Sequence, residues 1–406
     1  MAVCALNRVV NRVNSALNAS GGGSLLQPSF LLTFDDLGAG VVDTTADRGG
    51  VAATFTRATA AWTKLSSGLW GAVATGIPRY TYLGANTAVG AGGGYFAEGA
   101  RTTLVTPLAS IRDMTDAAWV KGATMTAAKT GIGIDGVTNS CSRLTGGAVS
   151  ATNTVLQTLV AAGSSRTYSV WLRRVTGTGT INITQDGGVG WTDVTSQLNS
   201  ASFTRVELNA SQANAAFGIQ IVTSGDVILA DFNQFEAGAS ASSPIDVAAV
   251  TRNADVLSYP TAPWMNAAAG TFFAAFNFPQ LSASSVYLDV NDGTTNERIR
   301  NEIAATTGLM TVVAVDGGVT VVSAATANAY TVDTNAKAAM AYELNNYGFL
   351  MNAGTVVADT SATVPTVTTL QVGNNISGAA QSFGTISRIA YYPRRLPNSV
   401  LVGITA

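Results

Sequence analysis

The sequence predicts an all-β protein of tandem antiparallel β-sandwiches (jelly rolls), preceded by a short N-terminal helical arm. Three observations predict this class. Short runs of alternating apolar and polar residues recur through most of the 406-residue chain, with Gly, Asn and Asp between them. No long helical pattern recurs after residue 24, so a parallel α/β sheet is not expected. Before that point, one apolar stripe has helical spacing.

The helical arm and its hinge occupy residues 1–24. Its apolar stripe repeats at intervals of 3, 4, 3 and 4 and consists of Val3, Leu6, Val10, Val13 and Leu17. A helix of about 18 residues is marginal alone in water, so the stripe is expected to pack against partners. We therefore predict an anchoring or oligomerising arm, with a homotrimer as the expected state and two strands as the alternative. Ser20 to Ser24 (SGGGS) is typical of a hinge.

Two segments are predicted between the hinge and residue 259. Residues 25–105 are predicted to form a β-rich linking region that packs with the sandwiches. Residues 106–258 are predicted to form a jelly roll, because the alternation is clearest there. In this segment one face of each strand is apolar, as in Tyr168, Val170 and Leu172, and in Phe217, Ile219 and Ile221.

A second sandwich is predicted over residues 259–406. The prolines Pro260 and Pro263 mark the boundary, and a new strand series begins beyond them. The sequence NDG at Asn291 to Gly293 is typical of a tight hairpin turn.

Composition favours a protein that assembles with neighbours. Charged residues make up 11% of the chain, against about 25% in ordinary soluble proteins. A surface with so few charges is better suited to burial against other chains than to a free monomer. Hydrophobic residues reach 47%, yet no apolar run approaches the ~20 residues of a membrane span, so membrane insertion is not expected. A net charge of −2 makes nucleic acid an unexpected partner.

The chain contains no histidine, which argues against an enzyme. The commonest general base and the commonest transition-metal ligand are therefore missing, and no catalytic residue is assigned. Glycoside hydrolysis by two carboxylates stays open as a minor alternative. Cys4 and Cys141 have no metal-ligand spacing, so we expect free thiols, no zinc and no cofactor.

Candidate binding residues lie in one loop of the middle segment. Trp191 is an aromatic residue able to stack on a sugar ring, and Asp186 and Asp193 offer acceptors. The alternative is that Trp191 packs over the sandwich edge. A second, oxygen-rich series was weighed as a calcium site, namely Asp289, Asn291, Asp292, Asn296 and Glu297. The hairpin turn explains that series without an ion, so no metal is predicted.

Several motifs resemble a family of bacteriophage tail and head appendage proteins. They are FTRATAAW, GIPRYTY, GYFAEGARTTLV and AAWVKG, together with the stretch at residues 230–258. The runs YSVWLRR and GVGWTDVTS resemble a carbohydrate-binding-module jelly roll. Residues after 270 resemble concanavalin A-like (laminin-G-like) domains.

The resemblance implies a structural subunit of a virion appendage (fibre, spike or decoration) on the particle exterior. Its arm would contact other virion proteins, and a sandwich would contact host-surface glycan. The alternative is a dedicated glycan-binding receptor-recognition protein.

Overall fold

The structure, a computed structural model, confirms the all-β class and the tandem antiparallel sandwiches. It describes residues 27–82, 93–148, 150–245, 250–281 and 284–406. The predicted arm, with Val3, Leu6, Val10, Val13 and Leu17, lies outside the described residues.

The strands, in chain order, have the following bounds. The first half contains β1 Phe30–Thr33, β2 Thr54–Thr56, β3 Ala61–Lys64, β4 Trp70–Val73, β5 Tyr80–Tyr82, β6 Gly93–Ala97, β7 Arg101–Thr102, β8 Val120–Lys121, β9 Thr126–Gly131, β10 Cys141–Thr145, β11 Thr154–Thr158, β12 Ser164–Thr176, β13 Ile181–Thr184, β14 Thr192–Asp193 and β15 Thr204–Gln212. The second half contains β16 Ala216–Ile221, β17 Val227–Ala237, β18 Thr251–Arg252, β19 Val256–Pro260, β20 Ala269–Asn277, β21 Ser285–Asn291, β22 Arg298–Ile303, β23 Leu309–Asp316, β24 Val319–Ala329, β25 Ala336–Glu343, β26 Tyr347–Met351, β27 Val357–Asp359, β28 Thr369–Val372 and β29 Gly384–Tyr392. Helix α1 is Asn398–Thr405, and short 3-10 turns lie at Leu108–Ile111, Ser150–Thr152 and Thr195–Gln197.

The middle sandwich consists of two five-stranded sheets. One has the order β15-β12-β17-β10-β9 and the other β14-β13-β16-β11-β8. Tyr168 and Phe217 are fully buried between the sheets, and their ring centroids lie 5.2 Å apart. The alternation read in the sequence therefore separates core from surface in these strands.

The second sandwich takes strands from both ends of the chain. Its eight-stranded sheet has the order β27-β26-β25-β20-β29-β6-β5, with β1 also paired to β29, and its seven-stranded sheet has the order β2-β19-β28-β21-β22-β23-β24. The predicted linking region, 25–105, therefore supplies β1, β2, β5 and β6 to the predicted 259–406 sandwich. Phe30 and Trp264 stack at 4.3 Å in their shared core. These N-terminal strands have three to five residues each, too short to indicate their distant partners by pattern alone.

Helix α1 is the one α-helix of the described residues, and it covers an outer face. Leu401 and Leu396 are buried against that face of the eight-stranded sheet, together with Phe273 and Leu350. No helix in the described part of the chain is long and apolar enough to cross a membrane.

The hairpin β3–β4 joins the first segment to the middle sandwich. Trp62 packs edge-on against Phe232 at 4.8 Å, and Trp70 against Trp171 at 5.3 Å. The backbone N–H of Trp70 also donates to the carbonyl oxygen of Ile134, 2.9 Å away. Aromatic pairs of this kind contribute about 0.5–1.5 kcal/mol each beyond their buried area.

Five ionised side chains meet where the two sandwiches join, and we call them the junction cluster. They are Arg57, Arg79, Glu98, Arg252 and Asp255, and each side chain has no exposed area. Arg57 pairs with Asp255 at 2.7 Å, and Arg79 contacts both Asp255 and Glu98. Arg252 pairs with Glu98 at 2.9 Å. The pairing offsets the large desolvation cost of placing these charges away from water.

The junction cluster draws on three stretches of the chain. Glu98 follows β6, whereas Asp255 precedes β19 of the second sandwich. The backbone N–H of Glu98 donates to Asp255 Oδ2 at 3.1 Å. From the end of the middle sandwich, the backbone N–H of Ser243 donates to Glu98 Oε1 at 2.9 Å. Because Ser243 donates to Glu98 and Glu98 in turn donates to Asp255, the three stretches are linked at the junction.

Candidate functional site

The two sheets of the middle sandwich differ in what lies on their outer faces. On the β12 sheet, Trp171 packs against Trp70, and Arg205 donates to the carbonyl oxygen of Ser242, so the middle of this face is covered, although its edge strands β9 and β15 carry exposed side chains. On the other sheet, Val120 is 69% exposed and Asp193 is also exposed. The second face is therefore open to an external ligand at its β8 and β14 edges, whereas Asn182 and Thr184 between these edges are buried.

Strand register places a row of mostly apolar residues across this second face. Thr184 is paired with Gly218, Gly218 with Leu156, and Leu156 with Val120. Trp191 immediately precedes β14, whose register brings it opposite Thr184. Cross-strand partners point to the same side of a sheet, so the row runs from the Trp191 indole to Val120.

A polar row lies beside the first, at a distance of two residues along each strand. Asp193 is paired with Asn182, Asn182 with Gln220, and Gln220 with Thr154. The side-chain amides are in contact: Asn182 Nδ2 donates to Gln220 Oε1 at 2.9 Å. We call the surface formed by these two rows the Trp191 face; it comprises Val120, Thr154, Leu156, Asn182, Thr184, Trp191, Asp193, Gly218 and Gln220.

The loop that carries Trp191 is held by Asp186. Its carboxylate accepts the backbone N–H of Gly190 at 2.9 Å and that of Gly188 at 3.2 Å. The Thr184 hydroxyl lies 2.7 Å from Asp186 Oδ1 and 2.8 Å from the carbonyl oxygen of Gly190. Asp186, predicted as a ligand acceptor, therefore uses its oxygens within the loop.

The two carboxylates near Trp191 both stay ionised at neutral pH. Partial burial alone would raise the pKa of Asp186, but the bonds from Gly190, Thr184 and Gly188 outweigh it and lower the pKa. Bonds from the hydroxyl and backbone N–H of Thr195 lower the pKa of Asp193. Asp193, the other predicted acceptor, lies on the solvent side of the polar row.

The Trp191 indole is half-buried and rests on the backbone of Gly188. A Cβ atom added at Gly188 would lie 2.6 Å from Trp191 Cζ2, whereas one added at Gly187 would meet Ala216 Cβ at an ordinary 3.5 Å. Both glycines have positive φ, +90° and +77°. The indole therefore takes its position from the absence of a side chain at Gly188.

The two glycines form a matched pair of variants. Each alanine substitution is expected to cost about 1–2 kcal/mol of stability, because both residues have left-handed backbone conformations. Only Gly188→Ala is expected to shift the Trp191 indole resonance by NMR, since only its Cβ collides with the ring. Equal indole shifts in Gly187→Ala and Gly188→Ala would contradict this placement.

Of the Trp191 face, sequence reasoning singled out Trp191 and Asp193 and missed the rest, namely Val120, Thr154, Leu156, Asn182, Thr184, Gly218 and Gln220. The alternation around Ile181 and Phe217 already turns Asn182 and Gln220 away from the core. Their contact, however, depends on pairing between β13 and β16, which no local pattern specifies.

Oxygen atoms of the candidate calcium series accept hydrogen bonds from other groups of the protein. Glu297 accepts the backbone N–H of Gly317 at 2.6 Å and that of Thr366 at 2.8 Å. Asp292 accepts from Thr294, and Asn291 from the backbone N–H of Gly293. Among the described residues, no group of three or more His, Cys, Asp or Glu side chains is arranged to hold a metal ion.

Comparison with protein-family models gives no match, and neither does comparison with curated protein sequences. Solved structures give weak likenesses. The Ruminococcus gnavus IT-sialidase CBM40 bound to alpha2,3 sialyllactose is 14% identical, with 35% of this chain and 84% of that chain covered at a TM-score of 0.30.

Two further solved structures are similarly distant. The CBM22-1-CBM22-2 tandem domain of Paenibacillus barcinonensis Xyn10C is 9% identical over 73% of this chain and 97% of that chain, with a TM-score of 0.26. The NanB sialidase from Streptococcus pneumoniae is 10% identical over 36% of this chain and 26% of that chain, with a TM-score of 0.30. Likenesses at this level do not assign a function to the chain.

Proposed function

We propose that the chain is a non-enzymatic glycan-binding protein and that the Trp191 face is its binding site. The observation that carries this proposal is a face with a mostly apolar row, ending in an indole, beside a row that contains two side-chain amides in contact. A sugar ring has apolar C–H groups on its faces and hydroxyl groups around its rim. Indole and aliphatic groups pack against the first, and amides hydrogen-bond the second.

A binding role fits the carboxylates of this face better than hydrolysis does. A glycoside hydrolase needs one carboxylic acid with a raised pKa to protonate the leaving oxygen. Asp186 and Asp193 both have lowered pKa values, and Asp186 is fully engaged with its own loop. These two residues therefore suit recognition and loop structure.

Trp191→Ala is expected to weaken glycan binding at least about tenfold, because a large aromatic contact is the kind of residue that dominates a small interface. The measurement is the dissociation constant for the best ligand found on a glycan array. Val189→Ala is the control: Val189 is 92% exposed in the same loop and belongs to neither row. Thermal unfolding should be unchanged in both variants. Equal affinity of Trp191→Ala and wild type would overturn the site.

A second proposal concerns assembly: the chain is a structural subunit of a phage virion appendage, on the particle exterior. It is favoured by the 11% charged composition and by the buried junction cluster, which holds two sandwiches in one fixed arrangement. A rigid, charge-poor subunit suits a projecting assembly whose surfaces meet other chains.

Deleting residues 1–20 is expected to leave both sandwiches folded and to abolish incorporation into the particle, because the arm's apolar stripe needs partners. The measurements are thermal unfolding, solution mass and copy number per particle. A homotrimer that dissociates on deletion is the expected mass result. Normal copy number of the truncated chain would contradict an anchoring role.

A further inference from the structure

Among the described residues, the strands of the Trp191 face offer no unpaired basic group to a ligand. Its five strands contain one basic residue, Lys121. The Lys121 Nζ atom lies within 3.3 Å of four backbone carbonyl oxygens, those of Met114, Thr115, Asp116 and Trp119. Because these oxygens meet the donor capacity of the ammonium, Lys121 is held away from the face.

Arg174, an arginine of strand β12, is also bonded elsewhere. Arg174 is the cation with an electrostatic effect on Asp193. Its guanidinium is largely buried and pairs with Asp226 at 3.4 Å, and it also donates to the carbonyl oxygen of Gly179. A ligand carboxylate on the face would therefore find no counter-charge from Arg174.

In contrast, each row has a negatively charged carboxylate at the end near the indole. Asp193 is exposed at the end of the amide row, beside Asn182. Asp186 lies beneath the Trp191 loop, at the end of the other row. The two carboxylates give the indole end of the face a net negative potential that an acidic sugar would have to overcome.

We propose that the Trp191 face selects neutral glycans and discriminates against sialylated and uronic acid-containing ones. This inference rests on the proposed glycan-binding function and narrows its ligand class. Recognition comes from the indole and the amides, which need no charge on the ligand. Discrimination comes from Asp193 and Asp186, because the two cations described near them, Lys121 and Arg174, are bonded to other groups. At contact distances and the effective dielectric of a protein surface, the expected discrimination is on the order of tenfold or more.

The test uses the full-length chain on an array in which each neutral oligosaccharide is printed beside its sialylated or uronic acid-containing counterpart. Wild type is expected to bind the neutral member at least about tenfold more tightly. The ratio should fall as salt is raised from about 50 mM to about 500 mM, because the repulsion is screened. Equal or tighter binding of the acidic members would overturn the selectivity and leave the binding site standing.

The variant Asp193→Asn removes the negative charge of Asp193 and keeps a side-chain oxygen in its place. An asparagine oxygen can still accept the backbone N–H of Thr195, which Asp193 accepts at 2.8 Å, so the local turn is kept. The neutral-to-acidic ratio is expected to fall several-fold in this variant. An unchanged ratio would overturn the role of Asp193. Absence of signal on every glycan, neutral and acidic, would instead overturn the proposed function together with its selectivity.

Discussion

Asp255→Ala is expected to lower the free energy of unfolding by about 3–5 kcal/mol, because it leaves two buried arginines without their shared carboxylate. Arg57 and Arg79 both contact Asp255, and neither side chain has any exposed area. The measurement is urea denaturation followed by tryptophan fluorescence. Since the cluster lies between the sandwiches, we expect this loss of stability in the unfolding of both sandwiches.

The control for this prediction is an exposed ion pair. Lys129 lies 3.5 Å from Asp113, and its side chain is 41% exposed. Lys129→Ala is expected to change stability by less than about 1 kcal/mol, as surface pairs do. If Asp255→Ala cost no more than Lys129→Ala, the junction cluster would not hold the sandwiches together.

Acidification is expected to remove the stabilisation that ionised Glu98 contributes. Burial alone would raise the pKa of Glu98, but the charges of Arg252 and Arg79 and the bonds from Ser243 lower it to about 2. A lowered folded-state pKa means stability that is present above the unfolded value of about 4.5 and lost as pH falls. The contribution of Glu98 should therefore decline by about 2 kcal/mol between about pH 6 and about pH 3.

The variant Glu98→Gln separates the contribution of the Glu98 charge to stability from the contributions of the other carboxylates. The variant is expected to be less stable than wild type near neutral pH, and the gap should narrow as pH falls, because only wild type loses the Glu98 charge. Urea midpoints of the two proteins at four or five pH values give the comparison. A gap that stayed constant from about pH 6 to about pH 3 would contradict the lowered pKa.

Local alternation of apolar and polar residues was enough to predict the all-β fold class. It also predicted which side chains of the middle strands point toward the core. Tyr168 and Phe217 are in the core as predicted, because a half-buried strand repeats every two residues whatever its partners are. The same rule turns Asn182 and Gln220 outward. Trp191 could be singled out as an aromatic residue in a glycine-rich loop, and its position over Gly188 explains why residue 188 is a glycine.

Long-range pairing could not be predicted from the same patterns. Arg57 and Asp255 are 198 residues apart, and nothing around either residue indicates the other. Strand β1 pairs with β29 across almost the whole chain, so a segment predicted to link the sandwiches is part of one of them. Such contacts depend on the closure of long loops, and local sequence carries little information about them.

NMR of the tryptophan indole N–H groups tests the central claim most directly. The chain has six tryptophans. Trp119 and Trp264 are in the cores, and Trp62, Trp70 and Trp171 pack at the junction. On titration with the neutral oligosaccharide that binds best, the Trp191 cross-peak is expected to shift to saturation while the other five stay in place. A saturated complex in which Trp191 does not move, or in which a junction tryptophan moves instead, would contradict the assignment of the Trp191 face.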